Sequence, residues 1–178
     1  NLTDTIRSIN PDLIIVIAYG MIIEKTIVDR FFCINIHASI LPKYRGASPI
    51  QASLLNGDSR TGISIIKLNE KMDAGDFLMT EEIDIEVHDN HGVLSQKLAF
   101  LGANTCKNFI LNQFLKNNFN PMVQDHSQAT YCKKIQKEDL LITNDMSVYE
   151  IYYKIKAFSP KPGAYCMKDN KRIKLLAA

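Results

Sequence analysis

The sequence predicts an α/β fold in which helices cover a mostly parallel β-sheet. The apolar run at residues 13–18 shows no polar alternation, which is typical of a strand buried on both faces of a parallel sheet. Strand-like and helix-like segments then alternate along the chain. The 178 residues, 46% of them hydrophobic, are enough to bury a substantial core.

The first part of the chain alternates strands with short helices. A turn at residues 10–12 precedes the first strand, and a short helix is predicted around 24–30 before a second strand at 31–37. Ser48 followed by Pro49 is typical of a helix start, and this helix should close at Asn56 and Gly57. A third strand is predicted at 62–68.

The remaining elements follow a tight turn at residues 73–76. Residues 77–87 alternate between apolar and polar towards their end, which predicts a half-exposed strand near a sheet edge. Asp89 and Asn90 should cap a long amphipathic helix that ends near residue 117. A further helix at 147–157 and a hairpin at 164–176 complete the prediction.

Composition excludes several classes of protein. The longest apolar stretch, residues 13–23, is too short to span a bilayer, so we expect no membrane partner. The four cysteines form no C-x-x-C pair and the histidines show no ligand spacing, so we expect no metal site. Free thiols indicate a reducing compartment, either the cytoplasm or an organellar matrix.

One group of polar residues suits acyl-transfer chemistry. Asn35 and His37 lie two apart and leave the same face of a strand, at the carboxyl end where α/β sheets bind ligands. Asp73 follows the next predicted sheet strand and reaches the same crevice if the two strands are neighbours. An amide can donate to an oxyanion, an imidazole can exchange a proton, and a carboxylate can orient it. Asn35 and His37 also fit an alternative role as buried structural polar residues.

The local sequences resemble the folate-dependent formyltransferase family. The segments that carry the resemblance are residues 18–22, 35–50, 61–65, 72–76, 124–134 and 162–165. The resemblance implies a Rossmann-like formyltransferase domain over residues 1–129 that lacks its first strands. It implies a linker and the start of a C-terminal OB-type β-barrel domain over residues 130–178. The chain is therefore expected to be truncated at both ends.

The resemblance also implies the site residues. Asn35, His37 and Asp73 would be catalytic, with 10-formyltetrahydrofolate as the formyl donor and no metal. The residues expected at the folate are Tyr19, Gly20, Met21, Ile22, Ser39, Ile40, Leu41 and Pro42. Ile40 departs from the leucine that is commonest in the family, which exchanges one apolar side chain for another.

The acceptor is less directly indicated. Residues 121–178 carry ten Lys and Arg against six Asp and Glu, which fits an RNA partner or an ordinary solvated face. The resemblance implies initiator methionyl-tRNA as acceptor, for translation initiation, with Arg45, Lys133 and Lys134 as candidate tRNA contacts and a monomeric protein. Two alternatives remain. The acceptor would be a small amine, such as an amino sugar nucleotide or glycinamide ribonucleotide, or the chain would be a non-catalytic folate- or RNA-binding fragment.

Overall fold

The structure is a computed structural model that describes residues 2–21 and 23–177. Its α-helices are Leu2–Ile9 (α1), Lys25–Val28 (α2), Pro49–Leu55 (α3), His91–Phe109 (α4) and Val148–Phe158 (α5). Its strands are Ile14–Val16 (β1), Cys33–His37 (β2), Arg45–Gly46 (β3), Arg60–Lys67 (β4), Phe77–Asp84 (β5), Tyr131–Cys132 (β6), Ala164–Lys168 (β7) and Lys171–Leu175 (β8). A π-helical turn, Ile110–Phe114, extends α4. Two 3₁₀ turns, His126–Gln128 and Glu138–Leu140, lie in the connections before and after β6.

The central sheet has the strand order β1-β2-β4-β5. β1 and β2 are parallel, whereas β2 with β4 and β4 with β5 are antiparallel. Two small pairs stand apart from it, a parallel pair of β3 with β6 and the β7–β8 hairpin. The α/β fold predicted from the sequence is confirmed. Among the described strands, parallel pairing is confined to β1–β2 and β3–β6. The connection from β4 to β5 reverses the chain, so these two strands pair antiparallel.

The first strand differs from its prediction. β1 was expected to be buried on both faces, but Ile15 is 40% exposed. Among the described strands β1 pairs with β2 alone, so one edge of it has no strand beside it. The apolar run therefore predicted the strand correctly, but the prediction that both faces of the strand are buried is wrong. Helix α1 was not predicted at all.

The main core lies between the sheet and α4. It contains Ile34, Leu54, Ile63, Ile65, Leu94, Leu98 and Phe109. The cap predicted at Asn90 is confirmed, since its side chain accepts from Val93 N at 3.0 Å. Ser48 precedes α3 as predicted, but its side chain makes no capping hydrogen bond and donates to Lys133 O instead. Ser147 forms a capping box with Glu150 that was not predicted. A second cluster joins α5 to β7 through Ile155, Phe158 and Ala164 among others. No helix in the described ranges has the length and apolar character to cross a bilayer.

Candidate active site

The carboxyl end of β2 presents the first two candidate residues. Ile34 lies in the core between the sheet and α4, and strand alternation places Asn35 and His37 on the other face. β2 pairs with β4, which leads into the loop that carries Asp73. The neighbouring strands required by the sequence argument are therefore present.

The Asp73 turn is held in an unusual backbone conformation. Asp73 has a φ of 49°, in the left-handed region that few non-glycine residues adopt. At Gly75 an added Cβ would overlap the carbonyl of Lys67, so only glycine fits there. This close approach brings the turn against the end of β4.

The structure brings Asn35, His37 and Asp73 together. Asn35 Nδ2 donates to Asp73 Oδ1 at 3.1 Å, and Asp73 Oδ2 accepts from Gly46 N at 2.8 Å. His37 Nδ1 lies 3.6 Å from Asp73 Oδ1. The side chains of His37 and Asp73 are only 6% and 12% exposed. A carboxylate is thus fixed beside an imidazole with little water around either group.

The His37 ring is oriented from its other nitrogen. Nε2 lies 2.9 Å from the carbonyl of Tyr44, and because a carbonyl can only accept, Nε2 carries the proton of that hydrogen bond. Tyr44 is itself held, since its N–H donates to Thr130 Oγ1 and its hydroxyl to Asp58 Oδ2 at 2.6 Å. Burial, together with the bond to Asp58, raises the pKa of Tyr44 to about 12. The phenol therefore stays protonated and keeps donating at physiological pH.

These residues open onto a large cavity of about 1270 Å³. Its walls include Asn35, His37 and Asp73, and also Tyr19, Gly20 and Met21 from the predicted folate segment. Ile22, the fourth predicted residue of that segment, lies outside the described residues. The volume is ample for a ligand of the size that enzymes bind in clefts.

The second predicted folate segment, Ser39, Ile40, Leu41 and Pro42, does not line this cavity. Ser39 is fully buried and its hydroxyl donates to Lys43 O at 2.6 Å. Leu41 N donates to Ser64 Oγ at 3.1 Å. In the structure these contacts hold the turn after β2, and a contact of this segment with folate stays a prediction.

The three candidate tRNA contacts differ in accessibility. Arg45 is only 3% exposed, and its guanidinium is turned inward to Gln124 and His126, which corrects the expectation that it reaches RNA from the surface. Lys133 and Lys134 are exposed. Lys133 forms an ion pair with Asp139 at 2.8 Å. A role of these two lysines in RNA binding stays a prediction.

Sequence reasoning assigned no role to two groups at this site. The Gly46 N–H holds the Asp73 carboxylate, and Gln124 Nε2 donates to the carbonyls of Asp73 and Gly75 at 2.9 and 2.6 Å. Gln124 lies in an irregular connection, where no periodicity places a side chain. In residues 2–21 and 23–177, no three His, Cys, Asp or Glu side chains are grouped as a metal site would require.

The chain is similar to known proteins over nearly its whole length. The family model described as "Formyl transferase" matches residues 1–110, and "Formyl transferase, C-terminal domain" matches residues 134–178. The methionyl-tRNA formyltransferase of Caldicellulosiruptor saccharolyticus is 42% identical over 176 residues, which are 97% of this chain and 55% of that protein. The chain thus spans about half the length of the curated relatives it matches.

Solved structures share the fold. Methionyl-tRNA formyltransferase from Clostridium thermocellum superposes with a TM-score of 0.78 at 24% identity, covering 97% of this chain and 74% of that one. HypX from Aquifex aeolicus in complex with tetrahydrofolic acid has a TM-score of 0.84 at 18% identity, covering 97% and 30%.

Proposed function

Because this chain belongs to the formyl transferase family, we propose that it carries the catalytic residues that transfer a formyl group from 10-formyltetrahydrofolate to the amino group of initiator methionyl-tRNA. The observation that carries the chemistry is the fixed Asp73 carboxylate, bonded to Asn35 and adjacent to His37 at the wall of a large cavity. The tRNA acceptor is supported by the 42% identity to a methionyl-tRNA formyltransferase. Monomeric action in the cytoplasm or an organellar matrix stays a prediction.

The proposed reaction needs an oxyanion site and a proton path. The acceptor amine attacks the formyl carbon, whose carbonyl electron pair moves to oxygen, and the bond from this carbon to N10 of the folate then breaks. The amine loses a proton and N10 gains one. Asn35 has two amide N–H groups. One donates to Asp73, so the other remains to donate to the developing oxyanion.

We assign substrate contact to His37 and proton transfer to Asp73. The Nε2–H of His37 is committed to the Tyr44 carbonyl, which leaves Nδ1 as the ring atom that meets the substrate. Asp73 lies 3.6 Å from Nδ1 and is fixed by the N–H of Gly46, so we assign it to receive the amine proton and to deliver a proton to N10 as the bond from the formyl carbon breaks. Attack by the substrate's own amine requires no enzyme nucleophile.

The cavity suits a folate as the formyl donor. Its walls at residues 17–21 are irregular backbone, with Ala18 and Gly20 at positive φ, where the chain leaves β1. Apolar side chains such as Val16 and Ile36 line the same space. A flat pterin ring needs such apolar walls together with peptide groups for its polar edge. Tyr19, Gly20 and Met21 are therefore the residues that would hold it.

The test is a transfer assay on the full-length protein with 10-formyltetrahydrofolate. Charged initiator tRNA is offered in one arm and amino sugar nucleotides in another. We expect formylation of the tRNA alone, and we expect Asp73→Asn to lower kcat by about 100-fold or more. Asp76→Asn, in the same turn, is the matched control and should turn over normally. Transfer to the sugar nucleotide alone would contradict the tRNA acceptor, and transfer to neither would contradict the function.

A further inference from the structure

We propose that Gln124 is a positioning residue, whose amide clamps the Asp73 turn to Arg45 and so holds the Asp73 carboxylate beside His37. This inference rests on the proposed function of that carboxylate. It concerns a residue in the stretch 111–133, which neither family model matches.

Both the nitrogen and the oxygen of the Gln124 side-chain amide make hydrogen bonds. Its Nε2 donates to the carbonyls of Asp73 and Gly75, at 2.9 and 2.6 Å. Its Oε1 accepts from Nε and Nη2 of Arg45, at 3.2 and 2.6 Å. Carbonyls only accept and a guanidinium only donates, so the amide has a single orientation that satisfies both. The residue is 2% exposed, so water offers no substitute partners.

The Asp73 turn, to which Gln124 donates, has a strained backbone conformation. Asp73 sits at φ 49°, and a non-glycine residue persists there only when its surroundings hold it. The Gln124 amide contacts the turn at two carbonyls, Asp73 and Gly75, which flank Ala74. It therefore fixes the backbone from which the Asp73 side chain projects.

A closed ring of contacts links Gln124 to the carboxylate. The Arg45 guanidinium donates to Gln124 Oε1, and the N–H of the next residue, Gly46, donates to Asp73 Oδ2 at 2.8 Å. The backbone of Asp73 is thus held by Gln124 and its carboxylate by the neighbour of Arg45. If Gln124 releases one side, the two halves can shift against each other and the 3.6 Å separation from His37 Nδ1 changes.

Both ends of the clamp are well anchored. The segment before Gln124 is fixed because Met122 and Phe77 exchange two backbone hydrogen bonds, at 2.8 and 2.9 Å. The side chain of the buried Arg45 makes hydrogen bonds with Gln124, His126 and Tyr131. A buried cation needs its acceptors, so the Gln124 oxygen is a partner that Arg45 cannot easily replace.

The experiment uses the full-length protein with Gln124→Met, Gln124→Glu and the matched control Gln128→Met, an exposed glutamine of the same connection. For Gln124→Met we expect kcat to fall by about 10- to 100-fold, as for a misplaced catalytic group. KM for both substrates should stay within about 3-fold, because the lost contact acts on the transition state. Gln128→Met should match the wild type. In an Asp73→Asn background Gln124→Met should cost little more, because both changes act through the same carboxylate.

Two results overturn the inference. One is an unchanged kcat for Gln124→Met. The other is that Gln124→Met lowers kcat by the same factor in the Asp73→Asn background as in the wild type. A crystal structure of Gln124→Met supplies a readout that needs no turnover. We expect the hydrogen bond from Gly46 N to Asp73 to be lost, and its retention in place overturns the inference. Should Gln124→Met fail to fold, Gln124→Glu keeps an acceptor for Arg45 and replaces the donor to the turn with a carboxylate oxygen, which cannot donate to the two carbonyls, so a loss of kcat at least as large is expected. A wild-type protein that transfers to no acceptor contradicts the proposed function instead, and the crystal structure then decides the positioning role.

Discussion

The side-chain amide of Asn35 donates to Asp73 Oδ1 across 3.1 Å, which ties the end of β2 to the loop that follows β4. In the proposed mechanism the amide has two tasks, to hold the carboxylate with one N–H and to donate to the reacting carbonyl oxygen with the other. A change at Asn35 affects both tasks at once.

We predict that Asn35→Ala lowers kcat of the full-length enzyme by about 100-fold or more, as for the loss of one oxyanion donor. Asn35→Asp should be at least as impaired, because it sets two carboxylates against each other. Asn112→Ala, at an exposed position of the π-helical turn, is the control. Steady-state kinetics measure the effect, and a loss confined to KM would contradict the oxyanion role.

We predict that His37→Ala lowers kcat by about 100-fold or more, as for a positioned acid or base. His88→Ala removes an exposed imidazole and should leave kcat unchanged. Circular dichroism of both variants checks that the fold is retained. Near wild-type turnover of folded His37→Ala would remove this residue from the mechanism.

Gly46→Ala should destabilise the fold more than Gly20→Ala. Both glycines have positive φ, at 114° and 70°, but an added Cβ at Gly46 overlaps the Cys132 carbonyl whereas the one at Gly20 meets nothing. We expect about 1–2 kcal/mol for the left-handed conformation at Gly20. At Gly46 the steric overlap should bring the loss above about 3 kcal/mol. Urea unfolding of the full-length protein gives both values, and equal losses would contradict the close approach.

The stability of the protein should depend on pH through His91. Burial lowers the pKa of His91 from its ordinary 6.5, while its ring contacts Gln51 Nε2 at 2.9 Å. Between the lowered and the ordinary pKa the unfolded chain binds the proton and the folded chain does not, so stability rises with pH. The contribution is complete above about pH 6.5 and is lost as the pH falls through the lowered pKa.

Urea unfolding of the wild type and of His91→Gln at pH 5 and pH 8 measures this dependence. The wild type should lose more stability on acidification than His91→Gln does. His88→Gln, which replaces an exposed histidine, should behave like the wild type. A pH dependence unchanged by His91→Gln would assign it to other groups.

Lys133→Ala with Lys134→Ala should raise the KM for tRNA and flatten its dependence on salt, because two exposed cations near the predicted RNA surface are removed. The charge-matched control pair is Lys25→Ala with Lys116→Ala, elsewhere on the surface. Measuring KM at several salt concentrations separates the two. An unchanged slope for the Lys133 and Lys134 pair would exclude these lysines from RNA binding.

Local signals in the sequence predicted most of the elements. The cap at Asn90, the Ser48 and Pro49 helix start and the β7–β8 hairpin each depend on neighbours along the chain, and all three are confirmed. Asn35 and His37 were found because strand alternation places them on one face. Asp73 joins them through strand pairing, as the sequence argument supposed.

Long-range contacts account for what was missed. The inward turn of Arg45 depends on Gln124, 79 residues away, and no local pattern reports it. The direction of each strand pair is likewise a long-range property, since a strand's sequence does not state which neighbour it meets: β1 pairs parallel with β2, and β2 pairs antiparallel with β4. The exposure of Ile15 follows from the single neighbour of β1 and not from its own composition.

The pairing of β3 with β6 has a consequence for protein engineering. The Arg45 N–H donates to Thr130 O and the Ala47 N–H to Cys132 O, so two residues beyond position 129 complete the loop that carries Gly46. A chimera spliced at the predicted boundary between residues 129 and 130 would graft a foreign strand onto that loop. Crossovers intended to exchange the segment that matches the C-terminal domain model, residues 134–178, should therefore be placed after Cys132.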